Sequence, residues 1–338
     1  MKKIILKTII VLLPILLTNL VIGVLRNKNG DETIPYKQNW LKQFISRGQI
    51  GKKTGKIISD YQTFDMSREV RKLQIVNYID KWGFQNKKEI KNPDILFVGD
   101  SFFEDPFLSY EQSLSFNIPL SMNISSMGCS GFQVFNELKT HDYFTKAPKY
   151  IIIEVVERNL YTWVNLFDQI KLKQLKTKNY NYFGLDLLFG NNFRGADFDN
   201  LSFEKQNSKS NKIGTIRKID KNRNIYFLKN KISSYDSEIL RNIITSMELV
   251  NQYFSKYNCQ VIYVVAPDKE SIFPELFGNS NLPYVQKQFE IAHIDYIDMY
   301  SEIMQSSKRK ECYYDGDTHW NNIAYELLIE KIKLAIKN

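Results

Sequence analysis

The chain has 338 residues, 43% of them hydrophobic and 25% charged, with a formal net charge of +9. That is enough chain for one large domain or two small ones of ordinary globular composition. The Lys and Arg residues are scattered among acids, without a basic stripe or a recognised nucleic-acid motif. The excess charge therefore argues for no nucleic-acid partner and fits an acidic glycan or a membrane surface. The three cysteines, Cys129, Cys259 and Cys312, form neither a CxxC nor a zinc pattern nor a disulfide framework.

Lys2, Lys3 and Lys7 precede an uncharged run from Thr8 to Leu25. As a helix this run is ~27 Å long, just enough to cross a bilayer core. Val21-Ile22-Gly23-Val24-Leu25 offers no small-residue cleavage site. Pro14 is tolerable in a membrane helix, and the leading lysines favour a cytoplasmic N-terminus. Residues 1–27 are expected to be an uncleaved, single-pass signal-anchor, with the rest of the chain on the extracytoplasmic side of the cell membrane. Residues 28–92 are polar and Lys-rich and read as a stalk with one or two helices, for example Ser67 to Trp82.

From residue 93 the texture changes. Ile95 to Val98, Tyr150 to Val156 and Val261 to Ala266 are short runs apolar on both faces, and Ile294 to Ile297 is a weaker one. Such runs predict buried parallel strands. Between them lie helix candidates at Gln133 to Phe144, Ser237 to Tyr257 and Asn321 to Ile336. Alternating strand and helix predicts an α/β doubly wound domain over residues 93–338, a parallel sheet flanked by helices. An insertion at about 165–235, rich in Asn, Lys, Gly and Phe, reads as having little regular structure.

Two segments carry candidate chemistry. Val98-Gly99-Asp100-Ser101-Phe102 directly follows the first strand of the α/β region. A serine there sits where open α/β sheets bind ligands, and its backbone N–H can donate to an oxyanion. Gly99 is expected to permit a tight bend. Asp315-Gly316-Asp317-Thr318-His319-Trp320 immediately precedes the last helix candidate. A serine nucleophile needs a base, and the base needs an orienting carboxylate. Asp317 can serve if the turn folds it back onto the His319 ring, and Asp315 is the alternate orienter. Asp315, Asp317 and His319 lack an evident fourth ligand, so no metal is expected. His141 and His293 read as ordinary surface or satisfied histidines.

Gly99-Asp100-Ser101 near the first strand and a C-terminal Asp-x-His resemble the SGNH (GDSL-like) hydrolase superfamily, over roughly Asp94 to the C-terminus. Gly128, in Ser126-Met127-Gly128-Cys129, matches the second-block glycine whose amide helps form the oxyanion hole. Gly99 to Phe102, Asp317 to Trp320, Glu157-Arg158 and Pro267-Asp268-Lys269 resemble the alginate O-acetyltransferase-like branch. The chain departs from the superfamily pattern in two places. The position three before His319 is Gly316, with the aspartate two before, and Glu157-Arg158-Asn159 stands in place of Gly-x-Asn-Asp. It departs from the alginate enzymes in placing the serine segment before the histidine segment.

The resemblance implies an SGNH-type, flavodoxin-like fold and a Ser101-His319-Asp317 triad. It implies oxyanion donors from Ser101, Gly128 and either Arg158 or Asn159, with Asp100, Asp315, Glu157, Trp320 and Lys269 in support. The expected function is O-acyl transfer, in the simplest case acetyl transfer, to a cell-surface or exported polysaccharide. The alternatives are a carbohydrate esterase of the same fold or a non-catalytic binding or assembly protein. The expected partners are the polysaccharide and an acyl donor, with a membrane-bound O-acyltransferase as candidate supplier; no cofactor is expected. In the insertion, Tyr180, Tyr182, Phe183, Phe189, Phe193, Tyr226 and Phe227 suit either sugar rings or plain core packing, as do Trp163 and Trp320.

Overall fold

The structure is a computed structural model that describes residues 51–53, 77–79, 86, 90–103, 107–125, 146–167, 214–219, 223–228 and 233–337. The expected anchor at 8–25, the helix candidate at 133–144, Gly128, Cys129, His141 and the aromatics from Tyr180 to Phe193 lie outside them. Among the described residues no helix is long and apolar enough to cross a membrane.

Near the N-terminus, β1 (Gly51–Lys53) pairs antiparallel with β2 (Asn77–Ile79). Of the helix expected over Ser67 to Trp82, only Asn77–Ile79 fall among the described residues, and there the chain is a strand instead. Val76, Tyr78 and Ile79 are β-branched or aromatic, which suits a strand better than a helix.

The main sheet begins with β3 (Ile95–Val98) and β4 (Ser121–Asn123), continues with β5 (Tyr150–Val156), and is completed further along the chain by β8 (Gln260–Ala266) and β9 (Tyr296–Ile297). Its spatial order is β4-β3-β5-β8-β9, and every pairing is parallel. Renumbered within the sheet this is 2-1-3-4-5, a doubly wound order that changes direction between β3 and β5. The longest ladder runs from Tyr150↔Gln260 to Val156↔Ala266. β3 and β5 begin and end where the apolar runs predict, while β9 is shorter than the run from Ile294.

Alternation along the strands builds two cores. One face carries Leu96, Val98, Ile151, Ile153, Val261 and Tyr263. It packs against α1 (Ser237–Ser255) through Leu240, Ile243, Met247, Val250 and Phe254, and against α2 (Leu282–Ile291) through Val285 and Phe289. The other face carries Ile95, Phe97, Ile152, Val156, Ile262 and Val264. It is covered by α3 (Met299–Gln305) and α4 (Asn322–Ala335), the latter through Ala324, Tyr325, Leu328, Ile329 and Ile332. Asp236 caps α1 by accepting from Ile239 N–H at 2.8 Å, and Asn321 caps α4 by accepting from Ile323 N–H at 3.0 Å.

The end of the insertion is ordered, which corrects the expectation of little regular structure there. β6 (Thr215–Lys218) and β7 (Asn224–Phe227) form an antiparallel pair. Ile225, Tyr226 and Phe227 are buried, and the Phe227 ring meets Phe273 and Phe277 at centroid distances of 5.3 and 4.8 Å. Tyr226 and Phe227 thus pack the domain. Trp163 does the same, edge-on to Tyr263 at 5.4 Å.

Candidate active site

Ser101 follows β3 at the carboxyl edge of the sheet, beside the point where the strand order reverses. Asp100 shapes its turn. The Asp100 carboxylate accepts from Phe102 N–H at 3.0 Å and from Val156 N–H, on β5, at 3.3 Å. The Asp100 N–H donates to Glu154 Oε2 at 2.9 Å. The Gly99 backbone is not left-handed. A Cβ on Gly99 would instead stand 2.5 Å from Glu154 Oε2 and 2.9 Å from Glu154 Cβ, so the position needs space.

His319 lies on a loop closed at its neck. Tyr313 and Trp320 form an antiparallel bridge, and Tyr314 N–H donates to His319 C=O at 3.2 Å. Immediately after the loop, Asn321 N–H donates to Cys312 C=O at 2.8 Å. The two-residue spacing folds Asp317 back onto His319. Asp317 Oδ1 accepts from His319 N–H at 3.0 Å and also meets ring Nδ1. With Nδ1 protonated toward Asp317, Nε2 is left as acceptor and lies 2.7 Å from Ser101 Oγ. Asp317 and His319 are buried. The imidazole sits between the rings of Phe102 (5.0 Å) and Phe107 (5.9 Å), which restrict its rotation. Trp320 Nε1–H donates to Phe102 C=O at 2.9 Å, tying the histidine loop to the serine turn.

Asp315 faces away from this pair. It takes a bidentate ion pair from Arg223, at the start of β7, with the shortest contact 2.6 Å. Asp317, not Asp315, meets the ring.

Lys269 supports the loop from below. It is 1% exposed, and its ammonium donates to the carbonyls of Tyr226 (2.9 Å), Asp317 (2.8 Å) and Tyr314, with Asp315 C=O farther off at 3.3 Å. An ammonium carries three protons, which match the three shorter contacts. Tyr313 OH donates to Pro267 C=O at 2.5 Å, joining the loop to the end of β8.

Glu157 and Arg158 open a 3-10 helix (Glu157–Asn165) directly after β5. Glu157 is fully buried and accepts from Asp268 N–H (2.8 Å), Ser271 OH (2.6 Å) and Ser280 OH (3.3 Å). Burial, then the Asp268 charge, push its carboxyl up to about 8. Glu157 therefore fixes the Asp268–Ser271 segment that presents Lys269. Arg158 Nη1 meets Asp268 Oδ1 at 2.5 Å, and the guanidinium lies 5.6 Å from the Phe102 ring centre. Burial lowers the Arg158 pKa, but the charge and hydrogen bond of Asp268, with the Asp100 and Glu270 charges, together outweigh it and the net shift is upward. Asn159 follows on the same helix, half-buried. Gly128 lies outside the described residues.

Three contributors escape sequence reasoning: Glu154, Phe107 and Arg223. Only Glu154 leaves a signal, a single acid inside the apolar run Tyr150 to Val156. Cys259 and Cys312 are buried free thiols, pushed up to about 12, chiefly by burial. His293 is exposed, with φ of 52° just beyond α2.

No protein-family profile and no curated protein matches the chain. Among solved structures, the chain is similar to a lipase/acylhydrolase from Enterococcus faecalis, at 14% identity and a TM-score of 0.36, over 72% of this chain and 94% of that one. It is also similar to a Bacteroides fragilis protein described as an acylhydrolase, at 13% identity and a TM-score of 0.37, over 74% of this chain and 91% of that one.

Proposed function

We propose that the chain is a serine acyl-transfer enzyme of the SGNH type, anchored in the cell membrane, that moves acyl groups, in the simplest case acetyl, onto a cell-surface or exported polysaccharide. The observation that carries the chemical part is the continuous contact from Ser101 through His319 to Asp317, at the carboxyl edge of a parallel sheet beside its switch point. The transfer and polysaccharide parts rest on the resemblance of Gly99 to Phe102 and Asp317 to Trp320 to the alginate O-acetyltransferase-like branch. The anchor rests on the uncharged run from Thr8 to Leu25.

In this reading Ser101 Oγ bonds to the acyl carbonyl carbon while its proton passes to His319 Nε2. Asp317 stabilises the imidazolium that results. The oxyanion takes hydrogen bonds from the amides of Ser101 and Gly128 and from Arg158 or Asn159. As the carbonyl re-forms, the bond to the leaving group breaks and the Nε2 proton goes to that group. A sugar hydroxyl then gives its proton to Nε2, attacks the acyl-enzyme, and leaves as the ester. Ser101 recovers its proton.

The purified full-length chain should release p-nitrophenol from p-nitrophenyl acetate in a burst and carry an acetyl group on Ser101 by peptide mass spectrometry. Ser101→Ala should abolish the adduct, and His319→Ala should nearly abolish it, because the residues act as a unit. Surface oligosaccharides added to the reaction should gain acetyl groups. Hydrolysis without acetylated sugar would replace transfer by esterase action. No adduct even with an acyl-donor partner supplied would leave a polysaccharide-binding role. Protease added to intact spheroplasts should digest the domain, and protection of it would overturn the anchored, extracytoplasmic placement.

A further inference from the structure

Taking Ser101 as the nucleophile, we propose that Glu154 is a positioning residue, an uncharged acid that clamps the Asp100–Ser101 turn onto β5 and so aims the Ser101 hydroxyl at His319. Glu154 shares a face of β5 with Ile152 and Val156, both in the apolar core. A carboxyl there, 4% exposed, is costly to bury unless its hydrogen bonds are made.

Its surroundings fit one protonation state. Oε2 accepts the Asp100 N–H at 2.9 Å, while no described group donates to Oε1. A carboxylate would be left with a bare buried oxygen; an acid carries its proton there. The groups packed around it are Gly99, whose missing Cβ leaves the room, the Phe103 ring, and two charges, Asp100 and Arg158. Burial first, and then the Asp100 charge, hold Glu154 well above the usual carboxylate range. The hydrogen bond from Asp100 N–H and the Arg158 charge oppose this shift without reversing it.

A neutral Glu154 thus accepts from the turn at Asp100 N–H without adding a second buried charge beside the Asp100 carboxylate. The same Asp100 carboxylate holds Phe102 N–H and reaches across to Val156 N–H. The residues on both sides of Ser101 are thereby fixed to β5. Ionisation would set two negative charges side by side. Because the folded value is raised, the clamp is intact below that value and is lost as pH rises through it.

The test combines acylation rates with infrared spectroscopy on the full-length chain. Glu154→Ala should slow the burst with p-nitrophenyl acetate about 100-fold, the scale of a 1 Å misplacement. Glu154→Gln supplies the same acceptor and donor without a titrating proton. It should restore the rate to within a few-fold of wild type, and it should lack the alkaline fall that wild type shows. A protonated-carboxyl stretch at neutral pH should be present in wild type and missing in Glu154→Gln, whether or not Glu154→Ala folds. Wild-type rates in Glu154→Ala, an unchanged alkaline fall in Glu154→Gln, or no protonated-carboxyl difference would overturn the clamp. If the wild-type chain acylates no serine, the proposed function fails, and the infrared difference alone decides whether Glu154 is the uncharged acid.

Discussion

The serine turn and the histidine loop solve one problem with opposite charges. Both are buried stretches of irregular backbone, whose polar groups need partners away from water. The serine turn presents N–H groups, those of Asp100, Phe102 and neighbouring Val156, and acids receive them: Asp100 and Glu154. The histidine loop presents carbonyls, those of Tyr314 and Asp317, and an ammonium receives them: Lys269. The sign of the exposed backbone groups dictates the residue type beneath. The origin of the support differs as well. The serine turn is braced by the adjacent strand, β5. The histidine loop is braced by residues from after β8 and from the β6–β7 pair, far away in sequence.

The largest effect should come from removing the cation. Lys269→Met keeps the volume but leaves several buried carbonyls without a donor. A loss on the order of 3–5 kcal/mol is expected, the scale of breaking a buried charged network. Urea denaturation of the full-length chain measures it. Acylation of Ser101 should fall with it, because two of the carbonyls that lose this donor, those of Tyr314 and Asp317, belong to the loop that carries His319. A variant as stable and active as wild type would show that the loop holds itself.

On the serine side, Gly99→Ala should cost about 1–3 kcal/mol through overpacking, since the new methyl falls on Glu154. Its effect on acylation should exceed what the stability loss explains, because Glu154 must move and Asp100 N–H moves with it. Combining Gly99→Ala with Glu154→Gln should give less than the sum of the two, because both act on one contact. Full additivity would separate Gly99 from the clamp.

The same contrast explains what the sequence reveals. β3 and β5 are readable because parallel strands buried on both faces leave continuous apolar runs. β4, Ser121-Met122-Asn123, leaves no such run, having one apolar residue in three. The β6–β7 pair is hidden among Asn and Lys, although Ile225-Tyr226-Phe227 becomes core. Ser101, Asp317 and His319 are readable as local motifs because strand end and loop fix them within a few residues. Lys269 and Arg223 act across 48 and 92 residues, respectively, on the loop around His319, and no spacing rule reaches that far. Glu154 is the intermediate case: the lone acid is visible, but its partner Asp100 becomes its neighbour only through the β3–β5 pairing.

The smallest effect should come from the outer latch of the histidine loop, and it separates the two aspartates. Arg223 and Asp315 are about a quarter exposed, at 25% and 23%. Water and salt screen such a pair, so breaking it should cost about 1 kcal/mol or less even with bidentate geometry. Asp315→Asn should therefore leave Ser101 acylation within a few-fold of wild type, with a stability loss that shrinks as salt is added. Asp317→Asn should instead lower acylation by about 10⁴-fold, the scale of losing the carboxylate that fixes the imidazole tautomer. Asp317 contacts ring Nδ1, while Asp315 points to Arg223. Equal losses in the two variants would mean that the loop's charge, rather than contact with the ring, governs His319. A larger loss from Asp315→Asn would exchange the orienter. A small loss from Asp315→Asn beside a large one from Asp317→Asn assigns orientation to the inner aspartate and anchoring to the outer one.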